Sequence, residues 1–245
     1  MLNSLRDGYR AVVFGASGGL GAACVRLLAD DPRCADIYAG ARRPIDGGGK
    51  VKPFHFDLLD EASIAMAADQ LNKSTEGVDL VLVATGVLHD AELKPEKTMR
   101  SFKAQSLAQS FALNAIGPAL IAKHVLPLLP RERKSVFAAM SARVGSIGDN
   151  RSGGWHAYRA SKAALNQLIR TCAIELAVKN KTAVCVTLHP GTVDTAMSKP
   201  FQAGVAPGKL FSVETSAGHL LAALDQLKAP DSGGFFAWDG QRIPF

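Results

Sequence analysis

Three tyrosines occur among 245 residues, and Tyr158 stands four positions before Lys162 in the run Tyr158-Arg159-Ala160-Ser161-Lys162. On a helix that spacing places the phenol and the ammonium on one face, a turn apart. A free phenol titrates near ~10, too high for a useful base at neutral pH, and a neighbouring cation that favours phenolate brings it down. The result is a proton donor and acceptor suited to carbonyl–alcohol chemistry. The same spacing also arises as an ordinary surface contact. Here the pair follows closely on an apolar run, Ser135–Met140, and open α/β sheets bind ligands beyond the carboxyl ends of their strands.

A second cluster lies near the N-terminus, where the apolar run Tyr9–Phe14 enters Gly15-Ala16-Ser17-Gly18-Gly19-Leu20-Gly21. Glycine supplies positive φ and lets backbone N–H groups approach a pyrophosphate at a helix N-terminus. The spacing fits both G-x-x-x-G-x-G and G-x-x-G-x-x-G. After the next apolar run come Ala41-Arg42-Arg43, where an NAD site would carry an acid for the ribose 2′-hydroxyl. A guanidinium pairs well with a 2′-phosphate, so the sequence predicts NADP(H), with Arg42 and Arg43 as the discriminating residues. Asp57, with Leu58 beside it, ends a third run and is placed to accept from the adenine amino group or to cap a turn.

The elements that must position these groups alternate from end to end. Strands are expected at Tyr9–Phe14, Asp36–Gly40, Val51–Phe56, Asp79–Ala84, Ser135–Met140, Ala183–His189 and Phe235–Trp238. Helices are expected at Leu20–Asp30, Ala62–Asn72, Ser101–Leu129, Ala157–Val178 and Val213–Gln226. Such alternation implies right-handed crossovers and a parallel sheet. The expectation is α/β: one doubly wound Rossmann-type domain over 1–245, its seven-stranded parallel sheet flanked by helices. The stretch 191–211, with two prolines, is long for an α/β connection and reads as a substrate lid.

Composition sets the bounds. Hydrophobic residues make up 47% and charged residues 20%, as in ordinary globular chains. Met1–Arg10 is polar and lacks a signal peptide's apolar core. No run approaches the ~18 uninterrupted apolar residues of a membrane span, so a soluble, cytoplasmic protein is expected. The four cysteines form no C-x-x-C pair and the six histidines no ligand spacing, so no metal site is expected. A net charge of +6 is scattered rather than clustered, which argues against nucleic acid as a partner.

Together and in order, these motifs resemble the short-chain dehydrogenase/reductase family over nearly the whole chain. To the glycine loop, Asp57 and Tyr158-x-x-x-Lys162 are added Asn114 in Asn114-Ala115-Ile116-Gly117, Ser141 ending the fifth strand, and Pro190-Gly191-Thr192-Val193-Asp194-Thr195. The run Met140-Ser141-Ala142-Arg143-Val144-Gly145, with Gly154-Trp155, is similar to the family's C-factor-like subgroup. The resemblance implies that Tyr158 is the acid/base and that Lys162 lowers its pKa and bonds the nicotinamide ribose. It implies that Ser141 orients the carbonyl and that Asn114 holds a water linking Lys162 to solvent. Pro190, Gly191, Val193 and Thr195 would bind the nicotinamide carboxamide. Where the family carries Asn-Asn-Ala-Gly after the fourth strand, this chain has Val83-Ala84-Thr85-Gly86. The small residues Ala84 and Gly86 still allow the ribose to approach, with Thr85 between them in the cofactor site, but the asparagine bonds that brace the strand are missing. Ser141 stands 17 positions before Tyr158, against about a dozen in the family, and Ser146 is the rival at 12. Ser141 is preferred because it directly ends the strand.

The implied function is NADP(H)-dependent reduction of a small, apolar carbonyl compound, or oxidation of the alcohol. The alternative is a non-catalytic NADP(H)-binding sensor or signalling protein. Pocket walls are expected from Val87–Leu93, Ala142–His156, Pro200–Phe211 and the C-terminus, with Trp155, Phe201, Phe211 and Phe245 as aromatic contacts and Trp238 in the core. The resemblance implies that the helices around Ser106–Leu129 and Ala157–Val178 pair across subunits, as a homodimer or homotetramer.

Overall fold

In a computed structural model, residues 2–245 are described. β1 (Tyr9–Phe14), β2 (Cys34–Ala41), β3 (Val51–His55), β4 (Leu80–Val83), β5 (Ser135–Met140), β6 (Ala183–His189) and a C-terminal strand, Phe235–Ala237, form one sheet. Its order is β3-β2-β1-β4-β5-β6 and then the C-terminal strand, with every neighbouring pair parallel. The topology reverses between β1 and β4, which opens a crevice at the carboxyl ends of the two central strands.

The central strands are apolar on both faces because both faces are covered, whereas the edge strand β3 leaves Lys52, Pro53 and His55 exposed. Alternate residues part cleanly. Ala11, Val13, Leu80, Leu82, Val136 and Ala138 join α1 (Gly19–Asp30) in one hydrophobic layer. Val12, Phe14, Val81, Val83, Phe137 and Ala139 join α2 (Glu61–Ser74) in the other. Each fully buried large side chain, such as Phe14 or Phe137, contributes roughly 1.5–3 kcal/mol relative to exposure.

The helix expected over Ser101–Leu129 is instead a broken column. α3 (Ala104–Phe111) widens into a π-turn at Ala112–Ile116 and continues as α4 (Gly117–Val125). Pro118 lacks the N–H that would bond back to residue 114 and crowds that carbonyl, so the column gives way one turn before it. Within Ala104–Leu128 an 18-residue window has a mean hydropathy of 1.3, so the column is long and apolar enough by length and composition to cross a membrane. Here that apolar character packs against α2 and against α5 (His156–Lys179).

The expected lid has a secondary structure that the sequence reading did not predict. β7 (Thr192–Val193) pairs in parallel with β8 (Leu210–Phe211), and a 3₁₀ turn covers Lys199–Gly204 between them. α6 (Val213–Gln226) follows as expected, and Phe235–Ala237 is β9.

Candidate active site

Gly15 N and Ala16 N both donate to Gly40 O at 2.9 Å, which ties the glycine loop to the end of β2. A Cβ on Gly21 would strike the Gly15 carbonyl, so the first turn of α1 closes tightly only with glycine there. Gly18 caps α1 without a side-chain bond, and no acid lies in the first turn. The free N–H groups and positive dipole end suit an anion. Arg42 and Arg43 are exposed just past β2, beside this loop. The donor set therefore fits a dinucleotide: open amides for the pyrophosphate and two guanidinium groups at the adjoining strand end.

One cavity of about 560 Å³ joins this loop to the chemistry. Its wall includes Gly18, Gly19 and Leu20, then Ala84, Thr85 and Gly86, then Ser141, Tyr158 and Lys162. Pro190, Gly191, Val193 and Thr195 complete that side. Gly15, Ser17, Gly21, Arg42, Arg43, Asp57, Leu58 and Asn114 lie outside the lining. Asp57 makes the turn that was one of its two readings: its Oδ1 accepts from Leu59 N at 3.0 Å, and its own N donates to Ser63 Oγ at 2.8 Å.

Lys162 Nζ donates to Met140 O at 2.8 Å and lies 5.8 Å from the centre of the Tyr158 ring. Burial pulls the ammonium down to about 7 and pushes the phenol up. The expected lowering of the phenol by its neighbour is thus absent, because burial outweighs it for both groups. Ser141 is 4% exposed and its Oγ has no partner. Ser146 is excluded from the lining, and its Oγ is used to accept from Asp149 N at 3.1 Å. The geometry thus separates the two serines.

Asn114 replaces the bracing that Val83-Ala84-Thr85-Gly86 lacks. Its Oδ1 accepts from Val87 N and its Nδ2 donates to Val87 O, both at 2.8 Å, and Nδ2 also reaches Ser161 Oγ at 3.2 Å. Its amide thus locks the loop after β4 onto α5. A Cβ on Gly86 would come within 3.3 Å of both Asn114 Oδ1 and Lys162 Nζ, so any larger residue there would press on both side chains.

Two residues of the region escaped the sequence reading. Glu96 is buried at 4% exposure, and its Oε2 accepts from Ala157 N at 3.1 Å while its carbonyl accepts from Trp155 N at 2.6 Å. It caps α5 from a distance, where Trp155, the one non-glycine with positive φ among the described residues, has φ 51°. No local pattern points to a partner 61 residues away. His189, at the end of β6, lines the cavity. A histidine closing an apolar strand beside Pro190-Gly191 was a signal that could have found it.

Two aromatic expectations need correction. Trp155 and Phe201 do form the cavity wall, with ring centres 4.9 Å apart. Phe211 instead packs on His219 and Trp238, at 5.3 and 4.7 Å. Its place in β8 turns it under the lid's base. Phe245 stacks 6.4 Å from Phe235 beside Arg170, so the C-terminus does not wall the cavity.

Comparison with known proteins gives the chain's family and fold. The family model described as short chain dehydrogenase matches residues 10–206. The chain is 31% identical to 1-hydroxy-2-glutathionyl-2-methyl-3-butene dehydrogenase of Rhodococcus, over 94% of this chain and 96% of that one. It is 35% identical to C-signal of Myxococcus xanthus over 57% of this chain and 78% of that one. The NADPH-bound carbonyl reductase from chicken fatty liver shares the fold, with a TM-score of 0.85 at 23% identity over 99% of this chain and 96% of that one. The chain belongs to the short-chain dehydrogenase family and is an oxidoreductase of that family.

Proposed function

We propose that the chain reduces the carbonyl of a small, mainly apolar substrate, or oxidises the matching alcohol, with NADP(H) as its cofactor. The observation that carries this reading is the meeting of Tyr158, Lys162 and an unpartnered Ser141 hydroxyl on the wall of the cavity that begins at the glycine loop. When bound, the nicotinamide supplies or takes up the hydride.

The protein's own groups do the rest. The Tyr158 hydroxyl, kept protonated by burial, gives its proton to the carbonyl oxygen. Ser141 Oγ donates to the same oxygen and stabilises the charge developing there. Lys162, fixed on Met140 O, bonds the ribose and replenishes the Tyr158 proton. A water beside Asn114 completes the path to solvent. Leu88, Val144, Trp155, Phe201 and Val205 give the substrate side an apolar surface. Pro190, Gly191, Val193 and Thr195 hold the carboxamide, and residues 191–211 act as a lid. Ile116, Leu168, Ile174 and Val178 are exposed and would be covered in a homodimer or homotetramer, assembled in the cytoplasm.

The test is oxidation of NADPH and of NADH against a panel of aldehydes and ketones. Consumption with NADPH preferred is the expected result, and Arg42→Ala should remove about tenfold of that preference, the size of one charge-assisted contact. Tight NADPH binding with no turnover across the panel would replace this reading with that of a non-catalytic dinucleotide-binding protein.

A further inference from the structure

Leu188 and Met140 are partners across the sheet. One step further on, His189 and Ser141 stand side by side at the carboxyl ends of β6 and β5, a strand spacing of about 4.8 Å apart. Both line the cavity, and both Ser141 Oγ and His189 Nδ1 are buried without a partner. A buried polar atom left unsatisfied costs about 1–3 kcal/mol, so a polar group that enters the cavity beside this pair gains by bonding it. Ser141 has an assigned oxygen in the reading above; His189 has none.

Burial, and then the nearby Arg143, hold His189 at about 4, against the pull of Asp239. Arg143 is itself paired with Asp149 at 2.9 Å. At neutral pH the ring is therefore uncharged, able to donate through one nitrogen and accept through the other. Other cavity walls near the lid are apolar and aromatic: Leu88, Trp155 and Phe201.

We propose that His189 binds a second oxygen of the substrate, one or two carbons from the reacting carbonyl. The substrate class is then a dicarbonyl or hydroxy ketone carried on an apolar body. The proposal rests on the reading above for the first oxygen, held by Ser141.

The test is calorimetric binding of a matched pair to the protein saturated with NADP⁺: 1-phenyl-1,2-propanedione and propiophenone, which lacks the second oxygen. Wild type should hold the dione about tenfold more tightly, the scale of one hydrogen bond to a buried group. His189→Leu should bring the ratio to within about twofold by weakening the dione alone, and His189→Asn, which keeps a polar atom near the Nδ1 position, should restore most of it. Equal or undetectable binding of both ligands to wild type overturns the proposal, as does a ratio that His189→Leu leaves unmoved. Turnover of either ketone with NADPH is read separately. No turnover with the preference intact removes the carbonyl-reduction reading alone, whereas turnover without preference removes this one alone.

Discussion

The two ends of the parallel sheet treat buried polar groups in opposite ways. At the amino ends of β4, β5 and β6 they are paired, although Arg10 Nη1 in β1 is not. Asp79, fully buried before β4, takes Arg133 Nε at 2.8 Å, Arg10 N at 3.0 Å and Arg6 Nε at 3.4 Å. Lys134, before β5, donates to Ser4 Oγ at 2.6 Å and Asp225 O at 3.0 Å. Asn180, before β6, bonds Pro130 O at 2.9 Å and Ala183 N at 3.1 Å. At the carboxyl ends of the same three strands, Thr85 Oγ1, Ser141 Oγ and His189 Nδ1 are buried without partners. Asp79, Lys134 and Asn180 serve stability, whereas Thr85, Ser141 and His189 leave a polar atom open to a ligand.

Substitutions at the two ends should therefore separate stability from activity. Asp79→Ala deprives Arg133, Arg6 and the Arg10 amide of their shared acceptor and should cost about 3 kcal/mol in urea unfolding, with NADPH affinity unchanged. A loss of cofactor affinity without a loss of stability would break the division. Ser141→Ala removes an unsatisfied hydroxyl, so its unfolding free energy should stay within about 0.5 kcal/mol of wild type. Its turnover should fall roughly 10²-fold, the scale of one lost oxyanion donor. A large stability cost there would show that the hydroxyl is structural.

The third contrast concerns pH. His189 titrates at about 4 in the folded chain, and near ~6.5 when unfolded. As pH falls from 6.5 towards 4 the unfolded state gains a proton that the folded state refuses, so stability is lost in that window. Arg143 opposes this protonation and Asp239 favours it. Unfolding free energies of wild type and His189→Asn, compared at neutral pH and near the folded value, should diverge by about 3 kcal/mol against wild type. A constant difference would mean that the ring is solvated.

What the sequence made legible was set by locality. Tyr9–Phe14, Ser135–Met140, Ala183–His189 and Val213–Gln226 stand as read, because strands covered on both faces are continuous apolar runs and a Ser212 cap marks the last helix. The glycine loop was legible for the same reason: its chemistry lies within seven consecutive residues. The π-turn before Pro118 was not, since apolar periodicity carries on through it. Nor were β7 and β8, two residues each and paired across the lid. Glu96 was invisible because its partners lie on α5, far along the chain. The Tyr158–Lys162 spacing placed both groups correctly on one helix, but burial decides their acid strengths and spacing alone does not contain it.

The proton-transfer role of Tyr158 is tested most directly by NADPH-dependent carbonyl reduction in Tyr158→Phe, with NADPH affinity measured on the same preparation. Turnover should drop about 10³-fold, as for loss of a general acid, with affinity within a few-fold. Turnover equal to wild type in the variant would contradict the account.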